Sequence, residues 1–230
     1  MADRWTQKRI ENTLRAEIMD GTLIGRLPRS EDFAERFGVA ASTVTNALNE
    51  LKREGLVETT RGQGAARHAV DFAAHVVSAQ AYIEPDGSLK YDPPHVEEVT
   101  PPGDVARALG ADRAVVRRRL TRLDGEPIEL SESYLPVDLA HELGLDRPRR
   151  PRGGIKAVLA EAGMPQRKGV DVVSARLPTD EEVQALGLPS SVPVLRIRRT
   201  ITSDEGRVVC VDVIVKGAHR YHEQYEFEIA

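Results

Sequence analysis

The sequence has little of what marks secreted, membrane-spanning or metal-binding chains. Its 230 residues include one cysteine, Cys210, so an intramolecular disulfide framework and a multi-cysteine metal site are excluded. No apolar run approaches the roughly 18 residues needed to span a bilayer, and the N-terminal stretch MADRWTQKRIENTL lacks the apolar segment of a secretory signal. We therefore expect a cytosolic chain without a membrane partner, in which Cys210 is a buried structural thiol.

Signatures of catalysis and of cofactor binding are also missing. The six histidines do not show the helical spacing of a metal site. The sequence contains no glycine-rich phosphate loop and no Gly-x-Ser-x-Gly elbow. We therefore expect no metal, no cofactor and no catalytic residues.

Positive charge is not in excess. The formal net charge is −4, which argues against a chain that binds nucleic acid over its whole surface. Residues 1–70 are close to neutral and the acidic excess lies in the remainder, a distribution compatible with a DNA reader that docks through one face. The length favours two domains. We assign residues 1–70 to an N-terminal domain, 71–80 to a linker and 81–230 to a C-terminal domain.

Two helices are predicted at the start of the N-terminal domain. Ile10, Leu14 and Ile18 stand four residues apart, a spacing typical of one buried helix face. A second helix is predicted to begin with Ser30 as its N-cap and to end at Gly38, where glycine lets the chain turn.

A third helix is predicted over residues 39–54, with a hairpin after it. Val44, Leu48 and Leu51 form its apolar face, and short polar side chains form the opposite face. Gly55 closes the helix, and LVETT, the tip RGQG and a return strand over residues 65–70 form the hairpin. Three helices followed by a hairpin indicate a winged helix-turn-helix. The alternative is a protein-interaction module whose polar helix face is only solvated.

This pattern resembles the N-terminal domain of the GntR family of bacterial transcription regulators. The matching motifs cover most of residues 6–70 and include Leu27-Pro28, Phe37-Gly38-Val39, Thr43-Val44, Ala47-Leu48, Gly55-Leu56 and Gly62-x-Gly64. Where the family shows Ser-Glu-Arg after Leu-Pro, this chain has Arg29-Ser30-Glu31. Where the family shows Ser-Arg-Thr-Thr-Val-Arg, residues 40–45 read AASTVT. Because two arginines are absent, we expect weaker discrimination per base or different preferred bases.

The resemblance implies DNA contacts from the third helix, from the hairpin tip and from the residue ahead of the second helix. Short polar side chains on the helix would read base edges, and the tip would approach phosphates or the minor groove. The candidate DNA-binding residues are Arg29, Ser42, Thr43, Thr45, Asn46, Arg61, Gly62, Gln63 and Gly64.

The C-terminal domain is predicted to be an α+β fold with a largely antiparallel sheet. From residue 114, AVVRRRLTRLDGEPIELSESYLP is predicted to form two strands joined at Asp124-Gly125. GVDVVSARL is predicted to form another strand. Two last strands are predicted to turn at residues 204–206. Helices are predicted near residues 104–110, 153–162 and 178–188, and residues 93–102 are predicted to be extended or looped.

This half resembles the UTRA effector-binding domain of the HutC branch of the same regulators. The resemblance runs over about residues 105–227, and its markers include Asp124-Gly125-x-Pro127, Ser133-Tyr134-Leu135-Pro136 and Leu195-x-Ile197-x-Arg199. It implies a chorismate-lyase-like domain that binds a small ligand and holds two chains together.

Several charged and polar residues of this half are candidates for effector binding. Arg119 matches the first arginine of the family's Arg-x-Arg, and Thr121 replaces the second. Where phosphosugar-binding members show Ser-Leu-Tyr, this chain has Gly154-Ile155-Lys156. Because a guanidinium suits phosphate or carboxylate, we expect an anionic metabolite. The candidates, for each of which a structural salt bridge or surface charge is the alternative, are Arg119, Arg122, Glu132, Tyr134, Lys156 and Arg199.

Together the two resemblances imply a bacterial repressor that binds palindromic operator DNA as a homodimer and responds to a small effector. Such a chain would be cytoplasmic and associated with the nucleoid when bound to DNA. Two alternatives stay open. One is a plasmid-type repressor that responds to no ligand and whose C-terminal domain only dimerises. The other is a lyase-like enzyme fused to a winged helix.

Overall fold

A computed structural model describes residues 5–59, 67–69, 76–78, 89–123 and 125–224. The helices in these ranges are α1 Gln7–Met19, α2 Ser30–Phe37, α3 Ala41–Arg53, α4 Gly103–Leu109, α5 Val137–Glu142, α6 Gly154–Glu161 and α7 Asp180–Leu186. The strands are β1 Gly25–Arg26, β2 Val57–Thr59, β3 Arg67–Ala69, β4 Val76–Ser78, β5 Leu89–Tyr91, β6 His95–Val99, β7 Ala114–Leu123, β8 Glu126–Pro136, β9 Gln166–Arg176, β10 Val194–Ser203, β11 Val208–Gly217 and β12 His222–Gln224.

The N-terminal domain is a three-helix core with a small antiparallel sheet. The apolar faces of α1, α2 and α3 meet in one cluster that includes Ile10, Leu14, Phe33 and Leu51. The strands follow in the order β1-β3-β2, with β2 and β3 as the two arms of the hairpin. The predicted winged helix-turn-helix is confirmed, and the tip at residues 61–64 lies outside the described residues.

The N-terminus of α2 differs from the prediction. The N-cap is Arg29, whose backbone N–H donates to an Asp32 carboxylate oxygen at 2.9 Å. Ser30 is therefore the first helical residue and not the cap. Its hydroxyl takes part in contacts with α3 and β3 instead.

The C-terminal domain is built on a seven-stranded antiparallel sheet. The order is β5-β7-β8-β11-β10-β9, and β6 also pairs with β7. Helices α4 and α7 cover one face, around Tyr134; we call this the α4 face. Helices α5 and α6 cover one end of the other face, around Leu135; we call this the α6 face. The predicted α+β class with a largely antiparallel sheet is confirmed.

Most predicted elements occur, and the structure adds several that were not predicted. Residues 95–99, predicted as extended or looped, form strand β6. The short helix α5 directly follows β8, where no helix was predicted. Strand β4, inside the stretch assigned to the linker, pairs in parallel with β12. Of the predicted turn at Asp124-Gly125, Asp124 lies outside the described residues, and Gly125 has a left-handed φ of 89°.

Candidate DNA-binding and effector sites

The outward face of α3 is polar and accessible. Val44 and Leu48 are buried against the other helices, whereas Ser42 and Asn46 are exposed on the far side. Thr43 and Thr45 are partly buried. Ala40 precedes the helix as its N-cap and supplies no side-chain hydrogen bond. The helix therefore presents a row of short hydroxyl and amide side chains. The major groove of DNA is wide enough to admit an α-helix with such a face.

A wing arginine that sequence reasoning missed lies beside this face. Arg67, on β3, donates to Asn49 Oδ1 at 3.2 Å and to Ser30 Oγ at 3.1 Å. Thr45 Oγ1 donates to the same Ser30 hydroxyl oxygen at 3.2 Å. Arg67 thus connects the wing, the start of α2 and the polar face of α3, and brings a positive charge to that face. The family motif in this hairpin, Gly62-x-Gly64, indicated only the tip as a DNA-contacting part of the wing.

Arg29 lies at the N-terminus of α2 and is exposed. Its guanidinium is 3.8 Å from the Asp32 carboxylate, so part of its charge is balanced at long range. An exposed arginine at this position can still reach a phosphate. The other predicted phosphate contacts, Arg61, Gly62, Gln63 and Gly64, lie outside the described residues.

On the α6 face, strand pairing arranges polar side chains into three rows across the sheet. The upper row reads Arg117, Ser133, Asp212, Arg199 and Asp171 from β7 to β9. The middle row reads Arg119, Ser131, Ile214, Ile197 and Val173. The lower row begins with Tyr91, Thr121 and Glu129, and continues with Lys216. Successive rows are about 7 Å apart, since two residues separate them along each strand.

Two arginines converge in this region. The guanidinium carbons of Arg119 and Arg150 each lie 4.6 Å from the centroid of the Tyr91 ring. Guanidinium groups prefer the faces of aromatic rings, where the quadrupole is negative. Two cations within reach of one ring create a positive potential that suits an anionic ligand. Arg150 was not singled out in the sequence, although it belongs to the arginine-rich run at residues 147–152.

The upper row is satisfied largely within the protein. Arg199 donates to both carboxylate oxygens of Asp171 at 2.7 Å. The Arg117 guanidinium donates to the backbone carbonyls of Leu145, Arg147 and Arg149 and so fixes the loop after α5. Burial raises the pKa of the Asp212 carboxyl, although Ser133 and Cys210 oppose the shift by hydrogen bonding. Cys210 itself is buried, as expected of a structural thiol.

The remaining effector candidates do not join Arg119 and Arg199. Glu132 and Tyr134 lie on the α4 face: Glu132 accepts from Arg118, and the Tyr134 hydroxyl donates to Glu132 at 2.8 Å. Burial raises the pKa of that hydroxyl. The pairing register puts Glu132 beside Arg118 on the α4 face, whereas Arg119 and Arg199 lie on the α6 face, so these candidates do not share one site.

Arg122 and Lys156 also stand apart from the convergent pair. The Arg122 guanidinium donates to the Asp92 carboxylate at 3.2 Å and to the Gly125 carbonyl at 3.3 Å, so it serves the hairpin turn. Lys156 is exposed in the first turn of α6.

The two domains touch where α3 ends. Ser191 Oγ donates to the backbone carbonyl of Arg53 at 2.5 Å. A Cβ placed on Gly55 would lie 2.9 Å from both His219 Cδ2 and Val192 Cγ2. We call these contacts among Arg53, Gly55, Ser191, Val192 and His219 the domain joint.

A groove of about 580 Å³ borders the domain joint. Lys52 and Val57 line it from the N-terminal domain, and Leu188 and Tyr221 from the C-terminal domain. Burial lowers the pKa of His219, which also lines the groove, to about 4. His219 is therefore neutral at physiological pH.

Neither a metal nor a membrane is indicated. Among the described residues, no group of three or more His, Cys, Asp or Glu side chains is arranged to hold a metal ion. No helix in the same ranges is long and apolar enough to cross a bilayer.

The third helix of a winged helix-turn-helix ends against a second, α+β domain. This is the architecture of a one-component transcription regulator. The family model for bacterial regulatory proteins of the gntR family matches residues 6–66, and the model for the UTRA domain matches residues 94–222. The chain belongs to the gntR family of bacterial transcriptional regulators and carries a UTRA effector domain. It is accordingly a regulator and not an enzyme.

Individual relatives agree with this assignment. The HTH-type transcriptional repressor NagR of Bacillus subtilis is 24% identical over 206 residues, which cover 86% of this chain and 84% of NagR. The HTH-type transcriptional regulator GgaR of Escherichia coli K12 is 26% identical over 210 residues, covering 87% and 80% of the two chains.

Solved structures show the same architecture along the whole chain. A crystal structure described only at family level, as a GntR-family transcriptional regulator, superposes with a TM-score of 0.61 at 26% identity and covers 97% of this chain and 98% of its own. PhnF from Mycobacterium smegmatis superposes with a TM-score of 0.53 at 19% identity, covering 95% and 100%.

Proposed function

We propose that the chain is a homodimeric repressor that binds a palindromic operator through α3 and the wing and is released by a small anionic effector. The single observation that carries this proposal is the coexistence of an accessible polar α3 face with a sensor domain that touches the end of the same helix. Two chains would present their α3 helices to half-sites about one helical turn apart.

Base reading is assigned to Ser42, Thr43, Thr45 and Asn46, and phosphate contacts to Arg29, Arg67 and the tip residues 61–64. Asn46 is exposed, and an amide can bind adenine through two hydrogen bonds. Arg67 already lies within hydrogen-bonding distance of Asn49 on the same face. These positions supply a reading surface without the two arginines that the family motif carries.

The dimer contact is assigned to the C-terminal domains, along strand β9. This strand is the edge of the sheet, and Val170, Val172 and Val173 on it are 47%, 47% and 40% exposed. A long edge strand with exposed apolar side chains is a pairing surface that a lone protein would normally protect. A second copy would cover it.

Effector binding is assigned to the α6 face around Arg119, Arg150 and Tyr91. From this site the lower row crosses the sheet through Thr121 and Glu129 to Lys216, which lies over the Tyr221 ring next to the domain joint. A ligand that shifts the lower row would therefore change how His219 meets Gly55. Such a shift would re-orient α3 in each subunit and spoil the match to both half-sites.

Selection of bound sequences from random double-stranded DNA tests the regulator proposal. We expect a palindrome with half-sites one helical turn apart. Asn46→Ala and Thr45→Ala should relax the base preference, whereas Arg61→Ala should weaken binding to all sequences. A chain that sediments as a monomer at micromolar concentration and enriches no palindrome would contradict the proposal.

A repressor without an effector is the second candidate. The observation that favours it is the internal pairing of the upper row, where Arg199 is bound by Asp171 and Arg117 by three carbonyls. Thermal shift against phosphorylated and carboxylated metabolites separates the candidates, because a ligand at 100 times its Kd adds about 2.7 kcal/mol of stability.

A further inference from the structure

The lower row of the α6 face holds two polar groups that the sequence motifs do not explain. Thr121, on β7, lies directly opposite Glu129, on β8. Thr121 is 4% exposed and the Glu129 side chain is 13% exposed. Both lie on the same face as Arg119, one row below it. Thr121 occupies the position where the family's second arginine would stand.

Neither group is fully satisfied by the protein. Within the described ranges, Thr121 Oγ1 and Glu129 Oε1 are buried and have no hydrogen-bond partner. Buried polar groups in folded proteins are nearly always hydrogen-bonded, and exceptions call for a physical reason. Two such atoms side by side, in a domain that binds small molecules, are explained if a ligand supplies the missing partner.

The chemistry of the two groups restricts that partner. A carboxylate only accepts hydrogen bonds, and a threonine hydroxyl donates one and accepts others. The ligand must therefore bring a donor, which could be a hydroxyl or an ammonium group. The other carboxylate oxygen, Glu129 Oε2, lies 3.4 Å from Lys216 Nζ. Because Lys216 already balances the carboxylate and would repel a second cation, a neutral hydroxyl is the favoured donor.

The neighbouring row supplies the other half of the recognition. Arg119 and Arg150 both lie 4.6 Å from the centre of the Tyr91 ring, and Tyr91 pairs with Thr121. An anionic group near the two arginines would therefore lie close to the row that holds Thr121 and Glu129, within the reach of one small molecule. Both oxygens are enclosed in the conformation described, so ligand binding requires the side chains around them to move.

We propose that Thr121 and Glu129 form a hydroxyl-binding subsite, so that the effector is a small anion that carries a hydroxyl group a few bonds away from its phosphate or carboxylate. This inference rests on the proposed effector function of the α6 face. It adds a requirement that an anion site alone does not have.

The test uses matched pairs of probes on the full chain, measured by isothermal titration calorimetry. The phosphate pair is 3-hydroxypropyl phosphate against propyl phosphate, and the carboxylate pair is 4-hydroxybutyrate against butyrate. In at least one pair we expect the hydroxylated member to bind about tenfold more tightly, the effect of one hydrogen bond to a charged group. The two pairs distinguish a phosphate from a carboxylate as the anionic group.

Variants locate the effect. Thr121→Val keeps the shape of the side chain and removes its hydroxyl, and Glu129→Gln removes the charge. Each should reduce the preference to less than about threefold and leave the affinity for the unhydroxylated probe unchanged. Thr121→Ser should restore the preference. This result would show that the loss in Thr121→Val comes from the missing hydroxyl and not from misfolding. Thr200→Val, on the α4 face, is the matched control and should change nothing.

Three results would overturn the subsite. If both members of every pair bind equally to the unaltered chain, the subsite is absent, while the anion site and the proposed function stand. If no probe binds although the chain still selects a palindromic operator, the effector itself fails and the ligand-independent repressor is favoured. A preference that survives both Thr121→Val and Glu129→Gln would place the hydroxyl elsewhere.

Discussion

At the scale of single residues, the most informative side chain of the N-terminal domain is Arg67. It spans from the wing to α3 through Ser30 and Asn49. Those two hydrogen bonds fix a flexible cation at the edge of the proposed reading surface before DNA arrives. Less conformational entropy is then lost when it meets a phosphate.

We expect Arg67→Ala to weaken binding to operator and to random DNA by similar factors. Its guanidinium would neutralise one phosphate, so the slope of log affinity against log salt should fall by about one. Fluorescence anisotropy at several salt concentrations measures both quantities. Arg113→Ala is the control, because Arg113 is ion-paired to Glu98 in the C-terminal domain, away from α3. A loss confined to the operator would instead make Arg67 a base reader.

His219 is the residue that should give the domain joint a dependence on pH. Burial lowers its pKa from 6.5 to about 4, so protonation favours the unfolded chain. Its contribution to stability is complete above pH 6.5 and is lost as the pH falls towards 4, by up to about 3 kcal/mol.

Denaturant unfolding at pH 4.5 and pH 7 measures this effect. We expect His219→Gln to show a smaller loss of unfolding free energy between the two pH values than the unaltered chain. His95→Gln, at an exposed position, should retain the full loss. Equal pH dependence in all three proteins would mean that His219 does not control the acid sensitivity.

At the scale of elements, the turn from α3 into β2 decides how the recognition helix meets the sensor. Gly55 has a left-handed φ of 76°, and a Cβ there would lie 2.9 Å from the side chains of His219 and Val192. Glycine is required at this turn both by its backbone conformation and by the close approach of the other domain.

Gly55→Ala should therefore destabilise the protein more than the same change at Gly38. Gly38 also has a left-handed φ, of 63°, but no atom lies within 4 Å of its Cβ position. We expect Gly38→Ala to cost about 1 kcal/mol from backbone strain, and Gly55→Ala to cost a further 1–3 kcal/mol or so from overpacking. Thermal unfolding of the two variants compares them directly. Equal losses would show that the domains do not press together at Gly55.

Local patterns in the sequence predicted the elements well and the contacts between them less well. The helical spacing of Ile10, Leu14 and Ile18 and the glycine stops were enough for the winged helix. Which residues of different strands share a face depends on the pairing register, which the sequence does not reveal. That is why Glu132 was grouped with Arg119 although it lies beside Arg118.

Contacts distant in sequence were missed for the same reason. Ser30 was interpreted as a helix cap from its local pattern, but its hydroxyl contacts Thr45 and Arg67. Tyr91 carried no motif, and Arg150 lay in an arginine-rich run that is also typical of a solvated loop. Only the fold brings Arg119 and Arg150 to the same ring.

At the scale of the whole molecule, the proposed dimer should depend on β9. We expect Val172→Lys to shift the chain towards monomer, because two buried cations would face each other across a two-fold interface. Sedimentation velocity across micromolar concentrations measures the shift. Ile24→Lys is the matched control, since Ile24 is 61% exposed in the N-terminal domain. A dimer that persists in Val172→Lys would place the interface elsewhere.

Coupling between effector and operator is a property of both domains and the joint that connects them. If the effector weakens operator binding by a given factor, operator DNA must weaken effector binding by the same factor, because both equilibria belong to one thermodynamic cycle. If the domain joint carries this coupling, Ser191→Ala, which removes the hydrogen bond to the Arg53 carbonyl, should bring the factor closer to one in both directions. The affinity for effector alone and the affinity for operator alone should each change by less than this coupling factor does. Titrating effector with and without operator, and operator with and without effector, measures the four affinities in the unaltered chain, in Ser191→Ala and in the control Thr200→Val on the α4 face. An unchanged factor in Ser191→Ala would mean that the signal reaches α3 by another route.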